Sequence, residues 1–415
     1  MNERASSGPA WPPTTGSDTP PAPGAWADAP TNESRALLGS AEVGQGPTTE
    51  LPEAAPFAEV PEVPVTPRAL TLSIASVATA LLIGGASLVS VPYAMSSPGP
   101  TFDTLGEHAD VPLIDVVGAP MYDSEGELRF TTVRLRGGAG NPVTLVRMVG
   151  GWLDGAVTVV PVEDVLPPDQ TSEEINQMNQ AAMISSQENA TVSALEELGY
   201  EVPTTLTVAQ TIEGTGAFGV LEADDVLLAV DGERLTGFSE LSAAMGEIAA
   251  GDDVTVTVER DGAERDVTLA TTAGSDGRAL LGVYVDPVFD LPIDVRIQIE
   301  DVGGPSAGLM FSLGIIASLT EEDETGGEHI AGTGTMDLAG SVGPIGGIVQ
   351  KMTGARHDGA DWFLAPASNC AEAVGHEPGG LHVVAVATLA EARAAVEAIG
   401  SGRGADLRTC ADAVG

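Results

Sequence analysis

The spacing of hydrophobic and polar positions changes character several times along this chain, and each change predicts a different element. Residues 1–68 show no sustained apolar period, only prolines among Ser, Thr, Gly and Ala. That composition predicts a disordered tail. From Ala69 to Val91 the run ALTLSIASVATALLIGGASLVSV holds 23 residues without a charge. Such a run is long enough for a helix crossing a hydrocarbon core of about 30 Å, and Gly84-Gly85 suits a membrane helix as well as a buried soluble one. Its length and its distance from the N-terminus argue against a cleaved signal peptide. The three prolines of 92–100 read as a linker, assigned to 92–103. Strand-like runs follow at 128–135 (LRFTTVRL) and 156–162 (AVTVVPV). Between Ser172 and Leu198, Ile175, Met178, Ala182, Ser186, Ala190, Val192, Leu195 and Leu198 recur at helical spacing, and Gly199 supplies the stop.

Residues 202–272 alternate strand-like runs with turn pairs at Asp231-Gly232, Gly251-Asp252 and Asp261-Gly262, with one helix near Ser239–Ala249. The last third mixes both periods. It has strands at 294–300, 361–366 and 383–387, and a strand with a hairpin-like loop over 330–347. Helices are expected within 303–320, over 348–359 and from Thr388, and a helical turn at 369–374. Thr388 and Glu391 form a capping-box pattern, and Gly400 ends that helix. The fold class is α+β. The expected division is tail 1–68, transmembrane helix 69–91, linker 92–103, then segments 104–200, 201–273 and 274–415.

The formal charge of −43 adds a constraint on partners. Residues 1–68 contribute −6 and residues 69–91 nothing, so the rest carries −37. A surface this acidic repels nucleic-acid phosphates, so no nucleic-acid partner is expected. Arg68 precedes the apolar span, whereas Asp103, Glu107 and Asp110 follow it. The positive-inside rule then puts the tail in the cytoplasm and the C-terminal domains outside, in a single-pass cell-membrane protein. The two cysteines, Cys370 and Cys410, both fall in the exported part, where a disulfide would persist. Such a bridge would contribute roughly 3–4 kcal/mol on the chain-entropy account; two buried thiols are the other reading.

The candidate chemistry begins with a scarcity. The chain has sixteen arginines but a single lysine, Lys351. Arginine stays protonated at any accessible pH, whereas a buried lysine can be neutral and act as a base. Ser306 lies in Gly303-Gly304-Pro305-Ser306-Ala307-Gly308, at a strand-to-helix junction where backbone N–H groups and a helix dipole can hold an oxyanion. A Ser–Lys pair requires the amine to be neutral near pH 7, about three units below its reference value. The five histidines, His108, His329, His357, His376 and His382, share no motif with a serine elbow.

Two resemblances rest on these residues. GVLEADDVLLAVDGERLTGFSEL followed by GDDVTVTVERDG resembles a bacterial PDZ domain, a module that accepts extended peptides or C-termini by strand addition. GGPSAG around Ser306, GTGTMDLAGSVGPIGGIVQK ending at Lys351, and GARHDGADWFLAP resemble the proteolytic domain of the Lon proteases. That resemblance implies a Ser–Lys dyad with Ser306 as nucleophile and Lys351 as general base, and Thr333 as the hydroxyl holding the amine. It extends back over 128–198, through LRFTTV, Met183 and Ser186-Gln187, so the PDZ-like cassette would be inserted within a Lon-like fold. Two positions depart from the family pattern: Gly303 stands where an acidic residue is usual, and Thr335 where a glutamate is usual.

A P-loop needs lysine followed by Ser or Thr, and the one lysine is followed by Met352. The whole arrangement is similar to bacterial membrane-anchored, ATP-independent PDZ–Lon-type serine peptidases. The resemblance implies protein or peptide substrates that are flexible or misfolded, extracytoplasmic or in the membrane. It also implies homo-oligomerisation and neither cofactor nor metal. One competing reading is a non-catalytic, membrane-tethered PDZ and Lon-like scaffold. Another is a signal-peptidase-like enzyme built on Met95-Ser96-Ser97-Pro98, which lacks a lysine nearby.

Overall fold

The structure, a computed structural model, describes residues 67–138, 141–165, 171–274, 277–299 and 302–415. All of the expected tail except Pro67 and Arg68 lies outside these residues. Pro67 opens helix α1 (Pro67–Ala86), a position where its missing N–H costs no bond. At 1.5 Å per residue these 20 residues extend about 30 Å, and their apolar side chains are exposed. The helix stops short of the expected Val91, because Ser90–Val91 pairs as a short strand with Val143–Thr144.

The expected linker 92–103 is instead strand β1 (Tyr93–Asp103), the largest departure from the sequence reading. Its prolines are tolerated for a local reason. The register slips between Pro98 and Thr101, and the outer neighbour pairs only with residues 93–96, so Pro98 and Pro100 leave no ladder bond unmade on that side. After β1 come β2 (Glu127–Arg136), α2 (Leu145–Leu153) and β3 (Thr158–Pro161). Helix α3 (Ser172–Glu197) starts from a capping box between Thr171 and Glu174. Its first three turns stand clear of the core. Met178, expected on the buried face, is 58% exposed, whereas Met183, Ala190, Val192 and Leu195 are buried.

Strands β4 (Thr204–Thr211) and β5 (Val226–Val230), helix α4 (Phe238–Gly246) and strands β6 (Asp253–Arg260) and β7 (Ala263–Ala270) form the cassette. Both residues of the Asp231-Gly232 and Asp261-Gly262 turns have positive φ, matching the twist of the strands they join. The cassette does not end at 273. Strand β8 (Val283–Phe289) pairs with β4 from Val283↔Thr211 to Phe289↔Thr204, giving the order β7-β6-β5-β4-β8. Pro287 is tolerated because β8 is an edge strand. Arg260 binds Asp225 at 2.6 Å beneath this sheet, and that carboxyl side chain has no exposure.

The chain then forms α5 (Gly308–Leu319), β9 (His329–Gly332), α6 (Ile348–His357) and β10 (Trp362–Pro366). It closes with α7 (Cys370–Ala373), β11 (His382–Val386), α8 (Leu389–Gly400) and α9 (Cys410–Val414). A disulfide between Cys370 and Cys410 ties α7 to α9. Thr388 caps α8 through the Glu391 N–H, but the Glu391 carboxylate accepts from Ala387 rather than from the cap residue itself.

One sheet in the order β11-β10-β9-β2-β1-β3 joins segments on both sides of the cassette. Strand β9 runs parallel to β2 and β10, and β1 antiparallel to β2. The cassette is therefore an insertion in the mixed-sheet domain. Helix α5 is buried along nearly its whole length against α3 and β2, and Phe311 packs edge-on to Phe130 at 5.2 Å. This all-round burial explains why α5 lacks a polar face.

Candidate functional site

Three side chains arrive from three elements. Ser306 sits in the turn leading into α5, two residues before the first helical position. Thr333 follows the last residue of β9, and Lys351 lies in the first turn of α6. Lys351 Nζ is 2.7 Å from Ser306 Oγ and 2.8 Å from Thr333 Oγ1. The Thr333 hydroxyl donates in turn to the Ser306 carbonyl at 2.9 Å. The Gly334 N–H donates to that same carbonyl at 2.9 Å, so the two residues after β9 hold the serine backbone as well as the lysine.

Burial separates the three. Thr333 is fully buried and Lys351 is 2% exposed, whereas Ser306 is half-buried and open to an incoming group. Burial pushes the Lys351 ammonium down to about 7, because a charge removed from water is costly unless an opposite charge compensates it. At neutral pH a substantial fraction of this amine is unprotonated and can accept a proton.

Glycine sets the approach distances. A Cβ on Gly308 would lie 2.8 Å from Ser186 Oγ and 2.9 Å from the Met336 Cβ, so only glycine lets α5 start against α3 and the 335–336 strand. Gly347 precedes α6 with φ +72, a conformation that side-chain-bearing residues rarely adopt, and thereby aims Lys351 inward. Gly303 lies beside α3, where a Cβ would stand 3.0 Å from Asn179 Cβ, a tight contact that a small shift of Asn179 would relieve.

Helix α3 carries a set of contacts that sequence reasoning did not identify. Gly304 donates its N–H to Asn179 O at 2.8 Å, and Ser186 Oγ donates to Pro305 O at 2.9 Å. Asn189 Nδ2 donates to Met336 O at 3.0 Å, and Ser193 Oγ to Asp337 O at 2.8 Å. Residues 179, 186, 189 and 193 fall on one helix face by their spacing. A polar line inside an otherwise apolar face was the available signal. The histidines lie elsewhere: His329 and His357 sit beside Glu127 and Asp358, and His108 and His382 against Phe102 and Trp362. Among the described residues, no group of three or more His, Cys, Asp or Glu side chains is placed to hold a metal.

A second feature lies on the inserted cassette. Between α4 and the edge strand β8, a groove of about 310 Å³ is lined by Phe238, Leu241, Met245, Leu281, Val283 and, from the mixed-sheet domain, Asp337. Asp337 Oδ1 accepts the N–H groups of Ala339 and Ser341 at 3.0 and 2.7 Å, which fixes the loop following the Thr335–Met336 strand. The groove wall and the serine loop thus share one short segment, residues 333–337.

Comparison with known proteins identifies both parts. Residues 296–386 match the family model of the Lon protease (S16) C-terminal proteolytic domain, and residues 182–271 match that of a PDZ domain. The PDZ match begins inside α3 and ends before β8. The chain is similar to the Lon protease of Roseiflexus castenholzii, 35% identical over 100 residues, or 24% of this chain and 12% of that protein. It is also similar to Lon protease 2 of Bacillus subtilis, 34% identical over 107 residues, or 24% of this chain and 18% of that protein. It therefore spans less than a fifth of the length of these relatives. Among solved structures, the PDZ domain of the SdrC-like protein from Listeria monocytogenes is 18% identical. It covers 21% of this chain and 88% of that one, with a TM-score of 0.19.

Proposed function

From a chain that carries a Lon-type C-terminal proteolytic domain and a PDZ domain, we propose a membrane-anchored, ATP-independent serine endopeptidase with Ser306 as nucleophile and Lys351 as general base. The observation that carries this reading is the 2.7 Å approach of Lys351 Nζ to Ser306 Oγ by an amine that burial has brought to about 7. The unprotonated amine accepts the Ser306 hydroxyl proton through its lone pair and gives an N–H to Thr333 Oγ1. Ser306 Oγ then attacks the scissile carbonyl carbon. The backbone N–H groups of Ser306 and Ala307, ahead of the first turn of α5, receive the developing oxyanion. As the C–N bond breaks, the Lys351 ammonium returns the proton to the leaving amine, and the acyl group stays on Ser306 as an ester. Water gives a proton to Lys351 as its oxygen attacks that ester, the bond between the acyl carbon and Ser306 Oγ breaks, and the Lys351 ammonium returns the proton to Ser306 Oγ, releasing the acid product and restoring both side chains.

Peptide capture is assigned to the groove between α4 and β8. Strand β8 pairs with β4 on one side, so an extended segment can add to its other edge while apolar side chains enter the groove. Substrates are extended or unfolded segments, since no P-loop lysine is present to couple ATP hydrolysis to unfolding. Helix α1, with Arg68 in its first turn, and the Cys370–Cys410 disulfide support a single-pass anchor with the peptidase outside the cytoplasm.

A serine-reactive phosphonate probe and an unfolded protein substrate test the nucleophile. The wild type should cleave the substrate and take up one probe per chain, and Ser306→Ala should do neither. Undiminished labelling of Ser306→Ala would move the nucleophile elsewhere.

A further inference from the structure

Helix α2 has an apolar face that the fold leaves uncovered. Its sequence, LVRMVGGWL, buries Met148 and Gly151 toward the sheet, where a Cβ on Gly151 would meet Met95 at 2.7 Å and Val159 at 2.9 Å. The other side presents Val146, Val149 and Leu153, three positions within about 60° on the helix, and Leu153 is 85% exposed. Trp152 stands at the rim, 59% exposed, with its ring edge-on to Tyr93 at 6.3 Å. Four large exposed apolar side chains in nine residues are more than a water-facing helix ordinarily carries.

The position of this face points to its partner. The Leu145 N–H donates to Val89 O at 2.9 Å, and the two residues before α2 pair with Ser90–Val91, immediately after the apolar helix α1. Helices α1 and α2 come near each other, and Leu88 and Val89, which follow α1, are exposed as well. The charge distribution agrees. In a chain of net −43, residues 87–102 carry no charge and residues 141–153 carry only Arg147. The acidic surface that repels a membrane is missing where the chain leaves α1.

We propose that α2 lies in the interfacial layer of the membrane that α1 crosses, with Val146, Val149 and Leu153 among the acyl chains and Trp152 at the headgroup boundary. An amphipathic helix with an apolar face and a boundary tryptophan is suited to that layer. The second attachment fixes the height and tilt of the mixed-sheet domain over the bilayer. This inference rests on the reading of α1 as a membrane anchor, and the test separates the two.

The full chain is reconstituted into phosphatidylcholine vesicles, with and without lipids brominated near the headgroup end of the acyl chains. Tryptophan emission should be quenched in the brominated vesicles. The quenched component should disappear in Trp152→Phe and fall at least twofold in Leu153→Asp, while both variants stay bound after alkaline carbonate extraction. Release of the wild type by carbonate would remove the anchor reading and the inference with it. A chain that resists carbonate but shows equal quenching with and without Trp152 overturns the inference alone. So does a wild type with unquenched Trp152 whose Leu153→Cys variant forms a disulfide between copies, because a second copy would then cover the face.

Discussion

A lysine that must be neutral to act carries an energetic signature at the residue scale. Lys351 titrates near 7 in the folded chain, against 10.5 for an ordinary lysine. The unfolded state therefore binds more protons between these values, and stability falls as pH drops from 10.5 toward 7, then stops changing from this source. The full difference corresponds to roughly 5 kcal/mol at about 1.4 kcal/mol per pH unit. Lys351→Met should thus be inactive yet more stable than the wild type at pH 7, by less than that amount because Thr333 loses a partner. Denaturant unfolding from pH 7 to 10 checks this, the advantage shrinking as pH rises. The same titration should switch activity on as pH rises through about 7. Thr333 acts through Lys351 and the Ser306 carbonyl. Thr333→Val should lower kcat by about 10- to 100-fold with little change in KM, and Thr333→Ser should restore most of it, as initial rates would show.

At the scale of elements, the legible parts were those whose period or chemistry is local. Helices α5 and α6, strands β2 and β10, and the Asp-Gly turns follow from spacing and from φ > 0 requirements that glycine announces. Strand β1 was hidden because its prolines read as a linker; they are allowed by a register slip and a missing neighbour, both properties of the sheet. Strand β8 was hidden for the related reason that an edge strand can carry Pro287, and its partner β4 lies more than seventy residues earlier. Ser306, Thr333 and Lys351 could be named from motifs, but the polar face of α3 that holds the serine loop is formed by tertiary contacts. The junction of α3 with α4 supplies a prediction of its own. Ser239 Oγ donates to Glu196 Oε2 at 2.6 Å, and burial, with Glu240 nearby, raises the Glu196 carboxyl above its usual range. A raised carboxyl binds its proton more tightly when folded, so its contribution is lost as pH climbs through the folded value. Glu196→Gln should raise the Tm at pH 8, and the gain should vanish near pH 4 in parallel melts.

On the scale of the whole molecule, two recognition units share a segment of five residues. Residues 333–337 begin at the hydroxyl that holds Lys351 and end at the aspartate lining the groove beside α4, so the groove and the Ser306–Lys351 pair are joined within one continuous stretch of backbone. The insertion follows from topology, since the mixed sheet takes strands from both sides of the cassette. Sequence patterns indicated two modules in one chain; their shared wall required the fold. The account rests on the unprotonated Lys351 amine, and arginine is the substitution that keeps a positive charge but cannot lose its proton. The decisive measurement is the initial rate at which the reconstituted full chain hydrolyses an unfolded protein substrate at pH 8, for wild type and Lys351→Arg of equal thermal stability. The account predicts a loss of at least about 1,000-fold in the variant, in line with removal of a general base. Retention of rate within tenfold of wild type would contradict it.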